Sequence, residues 1–424
     1  MSAKFKLYYK NPGDEANYFV GALMLRNGYT GIYDYDTFLK FCKGHTLYKD
    51  ESQFLSFMIY PPLMYVLIVP LTFFRIAQYI QIWFLLNITL LAFSAFLISR
   101  CLTRAAAAKI PVTVAILLMI SSFLAVFLYS PTVDCLMQGQ ANILLLFLFS
   151  SILYCHLSDR KVLAGLLLAI CISIKLFPVI FLLYFAIRRE WKTVLSTLLL
   201  TFFINLAIFL IYGQQLFSSY LENIFPLYFS SMVVNPFPYN RSLEGVILYY
   251  ISHTDIPAPA HLAVAKAITF PLKLLLLLIS MTVLLMGKRK AELSGNTDKE
   301  KAVSFCLFLS MVYLLLTSSW QYYHIWYLLC FIITLGLLCL REMDFRSFIL
   351  SVGLSFSWFW FSGLDGQISV WHRQLVWWMR NHYYNSFPFM LVIVKLFIFS
   401  ALLLIYRELI SDRKEENRSS VSKT

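Results

Sequence analysis

Asp14, Lys175 and His324 are the side chains of this sequence whose types and settings can do chemistry: a carboxylate that can take a proton, a cation that can meet an anion, and an imidazole suited to either. Asp14 stands in GDEANYFVGALMLRNGYTGIY, residues 13–33. Pro12-Gly13 is a turn signal, and an acid just after it is well placed to begin a helix, where exposed backbone N–H groups favour a carboxylate. The helix is predicted to run to about Arg26, where Asn27-Gly28 supplies the left-handed residue that ends it. Asp14, Tyr18 and Ala22 recur every fourth residue and share one face of that helix. Two readings stand: Asp14 is only a cap, or it and the Tyr18 phenol form a polar face with a use beyond capping.

Lys175, in CISIKLFPVI, lies between the apolar segments 161–174 and 176–187, far from either end of the run. A helix break before Pro178 is expected to set it at the tip of a helical hairpin, open to a cavity. An anionic lipid headgroup is the expected partner, and a hidden carboxylate is the plainer one. Gln138, Gln140 and Asn142, around Gly139, can bind hydroxyls or cap the helix that starts near Asn142. NPFPYNRSLEG, residues 235–245, offers Asn240, Arg241 and Ser242 after a proline-stiffened turn, and by itself is an ordinary loop. SSWQYYHIW, residues 318–326, carries His324 at the start of a span, among aromatic residues that are common at membrane interfaces. No Ser-His-Asp order, glycine-rich phosphate loop or His/Cys ligand set is present; a divalent metal is compatible with the sequence and not required by it.

The elements that must position these groups are membrane helices. At 60% hydrophobic and 13% charged residues, with a mean hydropathy of +0.71, the composition excludes a soluble enzyme and indicates an all-α polytopic membrane protein. Apolar segments are expected at 55–74, 79–99, 111–130, 141–157, 161–174, 176–187, 191–212, 265–287, 302–318, 325–340, 347–361 and 388–406, a bundle of roughly 11–13 spans. Prolines 61, 62 and 70 argue against a single straight helix in the first of these. The formal charge of +13 belongs to the loops and not to a nucleic-acid partner. Basic clusters at Arg100/Arg104/Lys109, Arg160/Lys161, Arg188/Arg189/Lys192, Lys288/Arg289/Lys290, Arg341/Arg346 and Arg407/Arg413/Lys414 alternate with polar segments 130–142, 213–264, 317–324 and 362–387. The positive-inside rule puts the basic set in the cytoplasm and the polar set on an outer working face. Membrane lipids are therefore partners throughout.

Domain organisation follows: residues 1–54 as an outer acidic and amphipathic segment, 55–408 as the membrane domain, with 213–264 as a long outer segment, and 409–424 as a disordered cytoplasmic tail. The first segment strains the count, because a single crossing by 55–74 would leave Asp14 in the cytoplasm. The expectation is either a reading frame that begins upstream with one more hydrophobic helix, or a broken, dipping 55–74. The eight cysteines sit mostly in apolar runs and read as small hydrophobes.

Taken in order, these residues resemble glycosyltransferase family 87, the polyprenyl-phosphate-mannose-dependent mannosyltransferases of the GT-C fold, over roughly residues 13–330. The resemblance is carried by Asp14, Tyr18, Ala22, Gly28 and Tyr33; by Tyr60, Pro61, Pro62 and Pro70; by Gly139, Gln140 and Asn142; by Lys175 and Pro178; by Asn240, Ser242, Leu243 and Gly245; and by Ser319, Trp320 and His324. The chain departs from the family in lacking a transmembrane helix before the acidic segment and in having Tyr323 where many members carry a second histidine. What the resemblance implies is an inverting transferase of the bacterial inner membrane, its active face away from the cytoplasm. It would move a hexose, mannose by analogy, from a polyprenyl-phosphate donor to a lipid or glycan acceptor. Asp14 would be the base, Lys175, Arg241 and His324 the partners of the donor phosphate, and Tyr18, Gln138, Gln140, Asn142, Asn240 and Ser242 the contacts to sugar or acceptor. The alternative is a lipid-linked saccharide flippase without chemistry, favoured if the Asp14 carboxylate faces an apolar wall away from Lys175; a structural assembly factor would explain the membrane but not Lys175.

Overall fold

The computed structural model describes residues 13–44, 58–106, 111–226, 240–252, 254, 256–257, 260–294, 297–316, 319, 321–340, 349–355 and 387–411. Residues 1–12 and 45–54 of the expected first segment, the proline turn before Asn240, Trp320, nearly all of 362–387 and the end of the tail lie outside them. Among the described residues every regular element is helical. α1 is Asp14–Arg26, α2 Tyr35–Gly44 and α3 Pro62–Ile68, which tightens into a 3₁₀ turn at Val69–Phe73. The long α4, Ile76–Ala105, is followed by α5 (Val112–Leu128), α6 (Ser130–Met137), α7 (Asn142–Leu157) and α8 (Lys161–Ile174). A 3₁₀ turn at Phe177–Ile180 leads into α9 (Phe181–Ile187), then α10 (Trp191–Tyr212), α11 (Gln214–Asn223), α12 (Leu243–Ile251), α13 (His261–Ser294) and α14 (Thr297–Leu315). A 3₁₀ segment, Gln321–Trp326, opens α15 (Tyr327–Cys339), and α16 is Phe387–Ser411.

Among the described residues four helices are long and apolar enough to cross a membrane: Ile76–Ala105, Trp191–Tyr212, His261–Arg289 and Tyr322–Cys339. Val112–Leu128 and Pro131–Met137 form a further pair, bent by 58°. The shorter apolar helices, α7, α8, α9 and the Pro62–Phe73 stretch among them, pack inside or beside these. This is an all-α polytopic membrane protein. Its apolar exterior is continuous along α10, where Leu198, Leu199, Phe202, Phe203, Leu210 and Ile211 are exposed. Inside, α4 runs along α7, and α8 lies against α10. Gly165 makes that second contact possible: a side chain there would collide with Ser196, and the Thr197 hydroxyl donates to the Gly165 carbonyl at 3.2 Å.

Helix α7 sets the scale. Its 16 residues rise roughly 24 Å, and its two ends carry different polar clusters. At the Leu157 end, His156 faces Glu190, and Arg188 is held by Glu300. The Asn142 end meets Asp14, Gln140 and Lys175. α8 runs from Arg160 to Lys175 at the Asn142 end, and α9 returns to bring Tyr184 and Arg188 to the Leu157 end, so the chain doubles back at Lys175 as expected. The 58–73 stretch stays at the Asn142 end. It runs beside α1, with Tyr60 at Tyr18 and the Thr72 carbonyl accepting from Arg26, so the proline-rich stretch is a broken element, a short helix that tightens into a 3₁₀ turn.

Candidate active site at the Asn142 end

Helix α1 forms as its signals require. Gly13 is the N-cap, Asn27 ends the helix, and Gly28 follows at φ +80°, the left-handed conformation that glycine adopts without strain. Asp14 makes no cap hydrogen bond. The reciprocal bond at the helix start comes from Glu15, whose Oε1 accepts from the Gly13 N–H at 3.2 Å, while the Asp14 N–H donates to the Gln138 carbonyl at 3.0 Å. The Asp14 carboxylate is left to accept from the Gln140 side-chain amide. The cap position is Gly13, and the Asp14 carboxylate bonds to Gln140.

Gln140 is the hub. It is fully buried, and its Oε1 lies 3.4 Å from both the Tyr60 hydroxyl and the Asn142 amide. Tyr18 donates to Tyr60 at 3.0 Å, so the acid and phenol that share a face of α1 converge on one amide. Asn142 in turn accepts from Lys175 Nζ at 3.1 Å. The helix beginning at Asn142 uses Ala141 as its N-cap with no side-chain bond, so neither Gln140 nor Asn142 is spent on capping. The loop that aims them depends on Gly139: it sits at φ +57°, its carbonyl takes the Trp83 indole N–H at 2.8 Å, and a side chain there would strike Glu15. The Gln138 side chain is exposed at the rim of this group.

Lys175 breaks α8 in an extended conformation, φ −150° and ψ 130°, as the residue two before the Phe177-Pro178 turn. It is buried and caged by rings: its Nζ lies 3.9 Å from the Tyr323 centroid, 5.4 Å from Tyr60 and 5.8 Å from Trp326. Tyr323 is thus the nearest face to the lysine. The Asp14 carboxylate is within electrostatic reach of Lys175. Burial raises the Asp14 pKa above the usual carboxylate range, opposed by the Gln140 hydrogen bond and the Lys175 charge.

The predicted phosphate trio does not form one cluster. Arg241 and His324 lie at the same end of the bundle as Lys175 but across the rings of Trp326 and Tyr313. Tyr313 stacks on His324 with centroids 5.2 Å apart and meets Trp326 edge-on at 6.2 Å. The Arg241 N–H donates to the Ser319 carbonyl at 2.7 Å. Asn240 and Ser242, expected to hold hydroxyls, are committed to the backbone. Asn240 Oδ1 accepts from the Ser242 and Ser319 N–H groups at 3.0 and 2.9 Å, and Ser242 caps α12 by accepting from Gly245 at 3.0 Å.

Sequence reasoning passed over four participants. Glu15 and the ring faces of Tyr323 and Trp326 carry no sequence signal that separates them from helix caps and aromatic belts. Lys395 does: it is a lysine inside the apolar segment 388–406, the same signal that singles out Lys175, and it is buried with its ammonium 4.6 Å from the Tyr313 centroid. Among the described residues no three His, Cys, Asp or Glu side chains are grouped as a metal site would need. Seven of the eight cysteines are buried and all are free, in keeping with a packing role.

No curated protein and no solved structure matches the chain. The family model of glycosyltransferase family 87 matches residues 57–319, well over half of the 424 residues. The matched span holds Gln140, Asn142, Lys175 and Arg241, with Asp14 packed onto it from outside, and the chain belongs to glycosyltransferase family 87.

Proposed function

We propose that the protein is an inverting GT-C-type transferase that takes a hexose from a polyprenyl-phosphate donor and gives it to a lipid or glycan hydroxyl. The observation that carries this reading is the Asp14–Gln140–Asn142–Lys175 relay: a half-buried carboxylate, held by an amide and facing a cation. Family membership gives glycosyl transfer; the relay supports the finer mechanism. Asp14 takes the acceptor hydroxyl's proton as that oxygen attacks the anomeric carbon, and the glycosidic bond to phosphate breaks on the opposite side. Gln140, fixed through Tyr60 and Tyr18, orients the carboxylate; the exposed Gln138 amide at the rim is available to sugar or acceptor hydroxyls. The departing lipid phosphate carries the charge, and Lys175, Arg241 and His324 are the cations and imidazole offered to it. Mannose is the sugar that the resemblance favours. The working face is the one carrying the Asn142 end, away from the basic loops, and hence away from the cytoplasm of a bacterial inner membrane.

The test is transfer by the purified protein in lipid vesicles, with polyprenyl-phosphate mannose and glucose offered in parallel and the lipid-extractable and glycan products assayed for label. Transfer with inversion supports the reading. Movement of the labelled donor between leaflets without any new glycosidic bond would establish the flippase instead, a reading that the contact of Asp14 with Gln140 does not favour.

A further inference from the structure

Among the described residues, several cations inside this bundle have a carboxylate in contact or within reach. Arg188 is met by Glu300, Lys273 by Glu244, and Lys175 has Asp14 within reach. Lys395, 2% exposed on α16, has none of this: its ammonium donates to the Arg241 carbonyl and lies over the Tyr313 ring, and no carboxylate among the described residues acts on it. The charged neighbour that does act on it is Arg241, itself buried and of the same sign. Glu244, near in sequence, is taken up by Lys273. An ammonium removed from water is costly without an anion, and one beside a guanidinium more so. An ammonium has three donors, and one carbonyl and one ring face leave capacity for a further acceptor. No carboxylate among the described residues repays that cost, and an anionic ligand would.

We propose that Lys395 and Arg241 form the binding site for the phosphate group of the lipid donor, with Lys395 a phosphate-binding residue of the transferase. The site stands at the working end of the bundle, across the Trp326 and Tyr313 rings from Lys175. It is anchored by the Asn240–Ser319 contacts that fix Arg241 and by Ser242 at the start of α12. Phosphate is the anion that suits it, because two cations, Lys395 on α16 and Arg241 in the loop before α12, can share its oxygens. This proposal rests on the reading of the donor as a lipid phosphate.

The experiment uses the full-length protein and its Lys395→Met variant, each purified in neutral-lipid nanodiscs. Thermal stability and ligand binding are measured with polyprenyl phosphate, polyprenol and inorganic phosphate as separate probes. For the wild type, polyprenyl phosphate is expected to bind and to raise the melting temperature, and polyprenol to do so far less. Lys395→Met is expected to weaken polyprenyl phosphate binding about tenfold, the scale of one charge-assisted hydrogen bond, and to leave polyprenol unchanged. Its ligand-free melting temperature should rise, because an unpaired buried cation has been removed; Lys395→Arg should retain the phosphate-induced shift. Inorganic phosphate giving the same Lys395-dependent shift would support the anion site while assigning it to the free ion. A variant that melts lower when ligand-free yet keeps the full polyprenyl phosphate shift would overturn the proposal and make Lys395 structural. A wild type that binds polyprenyl phosphate no better than polyprenol would overturn the donor reading itself, which is a different failure.

Discussion

Two buried polar clusters stand at opposite ends of α7, and they are built on different rules. At the Leu157 end, Arg188 makes a double contact with Glu300 at 2.8 and 2.7 Å, Tyr406 donates to the same carboxylate at 2.6 Å, and His156 meets Glu190 at 3.3 Å. Each charge there has an opposite charge in direct contact, and the network ties α7, α9, α14 and α16 together. At the Asn142 end Lys273 and Glu244 pair in the same way, but Asp14, Lys175 and Lys395 meet amides, ring faces and carbonyls. Asp14 touches Gln140, Lys175 touches Asn142 and Tyr323, and Lys395 touches a carbonyl and Tyr313. The first arrangement is complete and holds helices together. The second leaves charge to be answered by something that arrives. Buried charge in a membrane bundle therefore has two uses, and direct contact with an opposite charge is what tells them apart.

The largest expected effect breaks the working end without breaking the fold. Asp14→Asn should lower transfer by about 10²–10⁴-fold, the usual cost of losing a general base, and should not lower the melting temperature. The sign of the second part follows from burial: the folded state raises the Asp14 pKa, so ionised Asp14 costs stability as the pH rises, and the amide removes that cost. The base form is the active one, so kcat/KM should fall toward acid along a limb lying above the ordinary carboxylate range. Near-normal turnover by the purified variant would eliminate Asp14 as the base.

At the other end the expectation reverses. Arg188→Met leaves Glu300 buried without its cation and should destabilise the protein by about 3–5 kcal/mol in denaturant titrations in detergent. The transfer rate per folded molecule should hold. If this variant instead unfolds normally and loses transfer, the division between the two ends is wrong.

Lys175→Met sharpens the comparison, because this lysine has a carboxylate in reach yet no direct contact with it. Donor affinity should drop by about 10-fold and acceptor affinity by much less. The acid limb of kcat/KM should also move further up, since the Lys175 charge is one of the influences that lower the Asp14 pKa. A variant with unchanged donor titration and an unmoved limb would mark the lysine as structural.

The sequence made the helical membrane fold legible through apolar runs, and α1 through one turn, one acid and one Asn-Gly stop. It showed the hairpin at Lys175 because a proline and a buried cation coincide there. What it could not show is which rings face which cations: Tyr60, Tyr323 and Trp326 are drawn together from three distant segments, and an aromatic belt has the same composition. Nor could spacing separate Arg241 from Lys175, since the Trp326–Tyr313 wall between them exists only in the packed bundle. Arg188 was legible as a loop charge, but its burial against Glu300 was not. That pairing depends on α9 and α14 lying side by side.

The smallest expected effect concerns Ser242, a residue of the working end whose role in this structure is of the holding kind. Its hydroxyl accepts from the Gly245 N–H, and its own N–H goes to Asn240, which also takes the Ser319 N–H. Ser242→Ala removes one cap and should cost about 1 kcal/mol of stability, with the KM for acceptor unchanged, because no sugar hydroxyl depends on it. Ser242→Thr and Ser242→Asp retain a capping oxygen and should recover most of the lost stability. A residue that binds a hydroxyl would behave otherwise: Ser242→Ala would raise KM several-fold while the melting temperature held. That second pattern would return Ser242 to the substrate and move the boundary between holding and binding to the far side of α12.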